Sequence, residues 1–364
     1  MQQTKDTYLD ILSRFDLADR PVDVAPFGNG HINDTLKVTT DKGEDKYILQ
    51  RINHLIFTNV DMLQNNIHTV TSHIRKKLET RGEQDVDRKV LTFLPTKEGK
   101  TYYFDGESYW RVCLMIPRSQ SFEEVNPEFS YEAGKAFGEF QAMLSDLPEG
   151  VLGETIPNFH NMEFRLEQFY DAIKANAAGR LDEVQELVDE IEKRAKAMCI
   201  QEDLYREDKL KKRTNHCDTK VNNILFDENG KVLCVIDLDT VMPGFVLSDI
   251  GDFIRTGANT GAEDDENLDN VGVNMEIFKA YTRGYMETAK TFLTPLEISM
   301  LPYGGRLLTY MQTVRFLTDY INGDTYYKTH KPKHNLIRTK AQFKLLQSLE
   351  EHAEEMDEFM ETYM

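Results

Sequence analysis

The hydrophobic pattern changes character once along the chain. Through the first 116 residues short apolar stretches alternate with turns, whereas from Pro127 onward apolar residues mostly recur at spacings of three and four. Tyr8, Leu9, Leu12 and Phe15 predict a helix over Tyr8 to Phe15. Val22 to Phe27, Thr35 to Thr39 and Lys46 to Ile52 predict three strands, the last two joined by the turn Asp41-Lys42-Gly43. A helix from about Asn59 to Leu78 follows, with Val60, Leu63, Ile67, Val70 and Ile74 on one stripe. Thr101 to Phe104 and Tyr109 to Ile116, separated by Asp105-Gly106, predict two more strands. The result is a five-stranded sheet, read as antiparallel, with one helix between its third and fourth strands.

Pro117 ends the fifth strand and helical patterns take over. Pro127 to Leu144 carries Phe129, Ala133, Phe137, Phe140 and Leu144 on one stripe. Further helices are predicted over Phe164 to Ala177, Glu183 to Met198, Asp249 to Thr256, Met275 to Ala289, Pro295 to Ile321 and Thr339 to Met360. Two strands, Asn223 to Phe226 and Val232 to Asp237, interrupt them. The expected class is α+β and bilobal: a small sheet lobe over 1–116, a hinge near Leu114 to Arg118, and a larger, mainly helical lobe over 117–364. A chain of 364 residues is too long for one simple core, which fits two lobes.

Composition narrows the partners. The net charge of -19 argues against nucleic acid and against an anionic membrane surface. Cys113, Cys199, Cys217 and Cys234 form no C-x-x-C pair, which argues against a zinc site or a disulfide framework and fits a reducing cytoplasm. The N-terminal segment has no apolar signal region and no run of 18 apolar residues occurs, so the expectation is a cytoplasmic protein that stays where it is made, as a monomer or weak dimer.

The candidate chemistry is concentrated in His216-Cys217-Asp218-Thr219-Lys220-Val221-Asn222-Asn223, followed nineteen residues after Asp218 by Ile236-Asp237-Leu238-Asp239. A His-x-Asp loop, an Asn five residues after the Asp, and a strand-end Asp form the order in which kinase-type enzymes place a base and two metal ligands. Asp218 is the candidate base, positioned to orient an acceptor hydroxyl. Asn223 and Asp237 are the candidate ligands of Mg²⁺, which needs few protein oxygens because it keeps water and phosphate. His216 reads as a brace for the loop, and Cys217 as a small filler beneath it. Asp239 is open between metal or substrate contact and a charge pair. Upstream, Gly28-Asn29-Gly30-His31-Ile32-Asn33 sits between two strands, where glycines let backbone N–H groups approach phosphates.

With these motifs the chain resembles the aminoglycoside phosphotransferase and choline kinase superfamily. The resemblance rests on Pro26 to Asn33, Tyr47 to Asn53, His216 to Leu225, Ile236 to Gly244, Ser248 to Asp252, and Arg315-Phe316-Leu317 through Gly323-Asp324 with Tyr326. It implies a protein-kinase-like fold and an ATP-dependent phosphotransferase acting on an alcohol, with Asp218 as base and Asn223 and Asp237 on magnesium. It further implies that Gly28, Asn29, Gly30, Ile48, Met115 and Ile116 bind nucleotide. The glycine loop, Arg315 and Tyr326 resemble the branch that phosphorylates N-acetylhexosamines at O1, giving the α-1-phosphate. In that branch His31, Asn33, Asp218, Arg315 and Tyr326 would touch the sugar. Other small alcohols, such as an aminoglycoside, choline or a simpler sugar, are alternative acceptors, and a non-catalytic pseudokinase used as a binding module is an alternative function. Arg315 and Asp319 stand four apart and could instead pair, and Tyr326 could pack with Tyr320 and Tyr327.

One departure matters. The third strand, where a phosphate-binding Lys is expected, reads Tyr47-Ile48-Leu49-Gln50-Arg51, and the following helix has no early Glu. Alternation puts Gln50 and Arg51 on opposite faces, so either Arg51 reaches the phosphates through a twist or metal and backbone carry the charge.

Overall fold

The computed structural model describes residues 4–28, 32–122 and 125–364. In chain order the elements are α1 (Lys5–Leu12), β1 (Pro21–Pro26), β2 (Asp34–Thr40), β3 (Asp45–Ile52), α2 (Val60–Thr80), α3 (Val86–Lys89), β4 (Phe93–Leu94), β5 (Tyr103–Phe104) and β6 (Tyr109–Leu114). There follow α4 (Pro127–Leu144), α5 (Met162–Ala175), α6 (Gln185–Met198), α7 (Ile200–Arg206), β7 (Arg213–Asn215), β8 (Ile224–Phe226), β9 (Val232–Val235) and β10 (Met242–Gly244). The chain ends in α8 (Val246–Gly257), α9 (Met275–Ala289), α10 (Pro295–Ser299), α11 (Leu301–Ile321), α12 (His334–Glu351) and α13 (Ala353–Glu361). They form two compact units, one from 1–121, 146–157 and 223–242, the other from 122–145, 158–222 and 243–364.

The first unit is built on an antiparallel sheet in the order β1-β2-β3-β6-β4, with β5 also on β6. Among the described residues it has six strands, one more than the sequence pattern predicts. The extra one, Phe93–Leu94, is two residues long and is followed by Pro95, too short to show an alternation. One face of the sheet packs Leu36, Val38, Tyr47, Leu49, Trp110 and Val112 against Ile11, Leu12 and Phe15. Alternation sends Ile48, Gln50, Arg111 and Cys113 to the other face, where Gln50 stands opposite Arg111 and Ile48 opposite Cys113.

Helix α2 starts at Asn59, whose side chain accepts the Met62 N–H at 3.0 Å. Its buried residues include two amides, Gln64 and Asn66, and Asn66 reaches out of the helix. That side chain donates to the Gly153 and Val241 carbonyls (2.7 and 3.0 Å) and accepts the Gly153 N–H (3.0 Å). A buried amide so fully satisfied ties two later stretches of chain, 146–157 and 223–242, into the sheet unit. The β8–β9 hairpin, which pairs Ile224 with Val235, belongs to this unit, and Phe226 exchanges backbone hydrogen bonds with Gln120.

In the second unit, α5, α6, α11 and α12 share a core that includes Leu166, Phe169, Val188, Ile191, Tyr310, Val314, Leu317 and Leu346. Helices α8 and α11 cross at Gly251 and Gly304. A Cβ on Gly251 would collide with the Gly304 carbonyl, and one on Gly304 with the Leu247 carbonyl, so the two backbones touch. The predicted helix Pro295 to Ile321 is two helices. Thr294 and Glu297 form a capping box at the start of α10, and Pro302, which has no N–H to donate, sits in the first turn of α11. The predicted helix Thr339 to Met360 starts earlier, at His334, and breaks at His352. Its first turn is held by polar contacts, His334 to Asp264 (2.8 Å) and Asn335 to Asp319 (2.8 Å), which hydrophobic spacing does not register. No helix among the described residues is long and apolar enough to cross a membrane.

Candidate active site

The predicted site residues divide between the two units. In the second unit the Asp218 loop is held from below by α8. The Asp249 carboxylate is fully buried and accepts the backbone N–H groups of His216 (2.9 Å) and Cys217 (2.7 Å) and the Gln141 amide (2.7 Å). Cys217 has φ of 63°, a left-handed conformation that L-residues rarely adopt, and Asp249 holds its N–H and that of the residue before it. Gln141 also donates to Asn215 (2.9 Å) and accepts from the Tyr285 hydroxyl. One helical turn further along α8, Asp252 accepts the Thr219 N–H at 3.0 Å. His216 is fully buried, edge-on to Phe137 and Phe140 at 5.4 and 5.8 Å, the position of a brace.

Asp218 itself keeps partial exposure, and its Oδ1 lies 3.0 Å from Lys220 Nζ. Burial works against the Lys220 ammonium, but Asp218 and Asp252 outweigh it and hold that lysine protonated above its ordinary range. Asp252 is held below the usual carboxylate range: burial opposes ionisation, but Arg255 and Lys220 more than compensate. The base candidate is thus flanked by a cation within a loop whose His216, Cys217 and Thr219 N–H groups are tied to α8.

Beyond Asp252 the second unit carries a group of bases and aromatics. His160 is pushed down to about 3 by burial, with Arg315 and Arg165 adding to the effect and Asp252 opposing it, and its Nδ1 is buried without a partner. Arg315 donates to Gln312 (3.2 Å) and lies over the Phe159 and Tyr327 rings, each at 5.6 Å. Arg165 donates to Gln168 and to the Phe159 carbonyl, both at 2.9 Å, and is brought down to about 10 by burial and by Arg315. Among the described residues neither arginine has a carboxylate at ion-pair distance. Arg315 does not pair with Asp319, because that carboxylate accepts the backbone N–H groups of Thr325, Tyr326 and Tyr327 and the Asn335 amide. Tyr326 meets Tyr327 edge-on at 4.8 Å, yet it is 67% exposed, so its ring is not packed away.

In the first unit the Asn223 carbonyl accepts the Ile236 N–H at 2.9 Å, which sets Asn223 beside the strand end that leads into Asp237. Asp237 is left-handed (φ 59°, ψ 59°), turning the chain out of β9. Asp239 is buried and charge-paired. Arg111 Nη1 and Nη2 donate to its two oxygens at 2.6 and 2.9 Å, and Asn33 Nδ2 donates to Oδ2. Asn33 in turn accepts the Asn53 N–H at 2.9 Å. Arg51 does not turn toward this cluster. It is half exposed and donates to Asp34 at 2.7 Å.

Of the residues expected to bind nucleotide, Gly28 is left-handed (φ 74°) and an added Cβ would meet open space. Ile48 is buried on the Gln50 face of β3, the Met115 N–H donates to the Lys46 carbonyl, and Ile116 is buried just past β6. Asn29, Gly30 and His31 lie outside the described residues. Sequence reasoning did not assign roles to Arg111, Gln141, His160, Arg165, Asp249 or Asp252. The available signals are a lone Arg inside an apolar strand and two Asp residues three apart in an apolar helix, both unusual places for charge.

Residues 23–283 match the model of the APH phosphotransferase enzyme family. An aminoglycoside phosphotransferase from Alicyclobacillus acidocaldarius superposes with a TM-score of 0.57 at 14% identity, covering 97% of this chain and 94% of that one. The AMP-bound spectinomycin phosphotransferase APH(9)-Ia gives 0.57 at 13% identity, over 94% and 97%. A choline/ethanolamine kinase family protein from Mesorhizobium loti gives 0.53 at 14% identity, over 94% and 92%. At these identities the structures speak for a shared kinase-like fold. The family match spans well over half of the sequence, and the chain belongs to the phosphotransferase enzyme family.

Proposed function

We propose that the protein transfers the γ-phosphate of ATP to the anomeric hydroxyl of an N-acetylhexosamine, giving the α-1-phosphate. The observation that carries the choice of acceptor is the Arg165, Arg315 and His160 group. Among the described residues two guanidinium groups stand without carboxylate partners beside a neutral imidazole. Such a wall repels a cationic acceptor of the aminoglycoside or choline kind and offers donors to hydroxyl and acetamido oxygens. Tyr326, with its exposed phenol, adds a further polar contact, and Asn33 and His31 belong to the same reading by resemblance.

Asp218 takes the role of orienting the acceptor hydroxyl and receiving its proton, with the Lys220 ammonium 3.0 Å from its carboxylate. The donors suited to magnesium are the Asp237 carboxylate and the Asn223 amide. Both are hard oxygens, and Asp239 is already taken by Arg111 and Asn33. When bound, the metal would neutralise phosphate charge. Gly28 and its neighbours would cover the phosphates, with Ile48, Met115 and Ile116 about the base.

The decisive experiment incubates the protein with Mg-ATP and, separately, N-acetylglucosamine, N-acetylgalactosamine, glucose, an aminoglycoside and choline. ADP release should depend on an N-acetylhexosamine, and phosphorus NMR should show the product phosphate coupled to the anomeric proton. Release that depends only on a cationic acceptor, or a phosphate at another position, would sink the proposal.

A further inference from the structure

The third strand lacks the expected phosphate-binding lysine, and Arg51 is turned away to Asp34. On the Gln50 face of the sheet a cation is nonetheless present, one strand over. Arg111 stands directly opposite Gln50 in the β3–β6 register, and its Nε donates to Gln50 Oε1 at 2.9 Å. Gln50 passes the row on to Thr35 of β2 at 3.1 Å. From this anchor the guanidinium fork reaches Asp239, two residues past the candidate metal ligand Asp237. Burial by itself would loosen the Arg111 proton, but Asp239 reverses this and the nearby Asp237 adds to the reversal. A guanidinium has five N–H groups, and these contacts use three. Among the described residues the second N–H of Nη1 and of Nη2 has no acceptor, and the two point to opposite sides of this buried guanidinium. The arrangement holds a guanidinium in fixed orientation, paired with Asp239, two residues along the chain from the candidate metal ligand Asp237.

We propose that Arg111 is the cation of the nucleotide phosphate site, supplied by β6 in place of the β3 lysine and held ready by Gln50 and Asp239. The inference rests on the reading of the protein as an ATP-dependent phosphotransferase. A nucleoside di- or triphosphate has the matching chemistry: anionic oxygens that accept a single charge-assisted N–H from a guanidinium whose fork is already held by a carboxylate. Gln50 is then a positioning residue that shares its strand slot with the neighbour.

The test compares calorimetric affinities for adenosine and ADP. Wild-type protein should bind ADP more tightly than adenosine, and if it binds neither, the phosphotransferase reading itself fails. In Arg111→Gln the ADP affinity should fall about tenfold to a hundredfold while adenosine changes by less than about twofold. The double variant Gln50→Lys with Arg111→Gln, which moves the charge back to β3, should regain most of the ADP affinity. Equal losses for adenosine and ADP would reduce Arg111 to a structural role, and unchanged ADP affinity would overturn the proposal outright. Should Arg111→Gln fail to fold, the wild-type protein still decides. The buried Arg111 Nε–H signal in a ¹⁵N spectrum should move on adding ADP and stay in place on adding adenosine. A signal indifferent to ADP, or moved alike by both, refutes the assignment.

Discussion

The Asp319 carboxylate accepts the backbone N–H of Tyr326 at 2.8 Å, and so the acid that stands one turn below Arg315 on α11 serves the following loop and not the arginine. Three consecutive N–H groups, from Thr325 to Tyr327, end on this one buried side chain, with Asn335 as a fourth donor. The loop that presents Tyr326 and the freedom of Arg315 therefore have the same cause.

Asp319→Ala should strip the loop of its anchor. The loss of several charge-assisted hydrogen bonds costs on the order of 3 kcal/mol, visible as a lowered Tm. In the folded fraction the acceptor KM should rise by about tenfold or more, while the Mg-ATP KM stays near its wild-type value. Equal changes in both constants would mean that the 325–327 loop has no acceptor role.

Asp218 and Asp249 sit on the two sides of one loop and should separate cleanly. Asp218→Asn removes the base from a partly exposed position, so kcat should fall about 10²- to 10⁴-fold with Tm and ADP affinity unchanged. Asp249→Asn instead turns an amide group toward three N–H donors, those of the His216 and Cys217 backbone and of the Gln141 side chain. It should lower stability by about 2–4 kcal/mol and reduce activity only as a consequence. An Asp218→Asn protein with most of its kcat intact would remove Asp218 from the base role.

Much of this was legible in the letters, for identifiable reasons. Helices α4 and α9 start and end where the pattern puts them, because each has one apolar stripe and an Asn cap at its start, Asn126 and Asn274. The order His216, Asp218, Asn223, Asp237 is local and survives without any knowledge of packing. Arg111 is different. Its meaning depends on a register that sets it against Gln50, sixty-one residues earlier, and on Asp239, 128 residues later. Asp249 likewise stands out as a charge in an apolar helix, but its partners lie some thirty residues upstream. Hydrophobic spacing finds surfaces that bury apolar atoms. It has no signal for a buried ion whose partner comes from another element.

Two buried groups in the helical unit should give opposing pH dependences of stability. Burial pushes Glu202 up to about 7 from an ordinary 4.5, only partly offset by the Met162 N–H it accepts at 3.0 Å. The native state therefore keeps a proton that the unfolded chain releases, and stability from this group is lost as pH rises through that window. His160, down to about 3 from 6.5, works the other way: the unfolded chain binds a proton the native state refuses, so stability is lost as pH falls below about 6.5. Between about 4.5 and 6.5 the two slopes oppose. Glu202→Gln should unmask the histidine, giving stability that climbs with pH across that interval by an amount on the order of 2–3 kcal/mol more than in wild type. Urea titrations at several pH values measure it. Parallel curves for variant and wild type would show that Glu202 ionises normally in the native protein.

The last prediction concerns Asp237, whose backbone constrains how it can be tested. At φ 59° the residue is left-handed, a conformation that Asn tolerates and Ala does not. Asp237→Asn therefore removes the charge and keeps the turn, whereas Asp237→Ala would mix a lost ligand with backbone strain. Magnesium draws most of its protein affinity from anionic oxygen, and the neighbouring Asp239 is neutralised by Arg111 and cannot readily stand in. ADP binding by the wild-type protein should tighten about tenfold or more when magnesium replaces EDTA, and adenosine binding should not change. In Asp237→Asn the ADP affinity in magnesium should drop to the EDTA level, while the EDTA value itself remains within about twofold of wild type. A variant that keeps the full magnesium enhancement would transfer the metal to other oxygens and leave Asp237 as a turn residue.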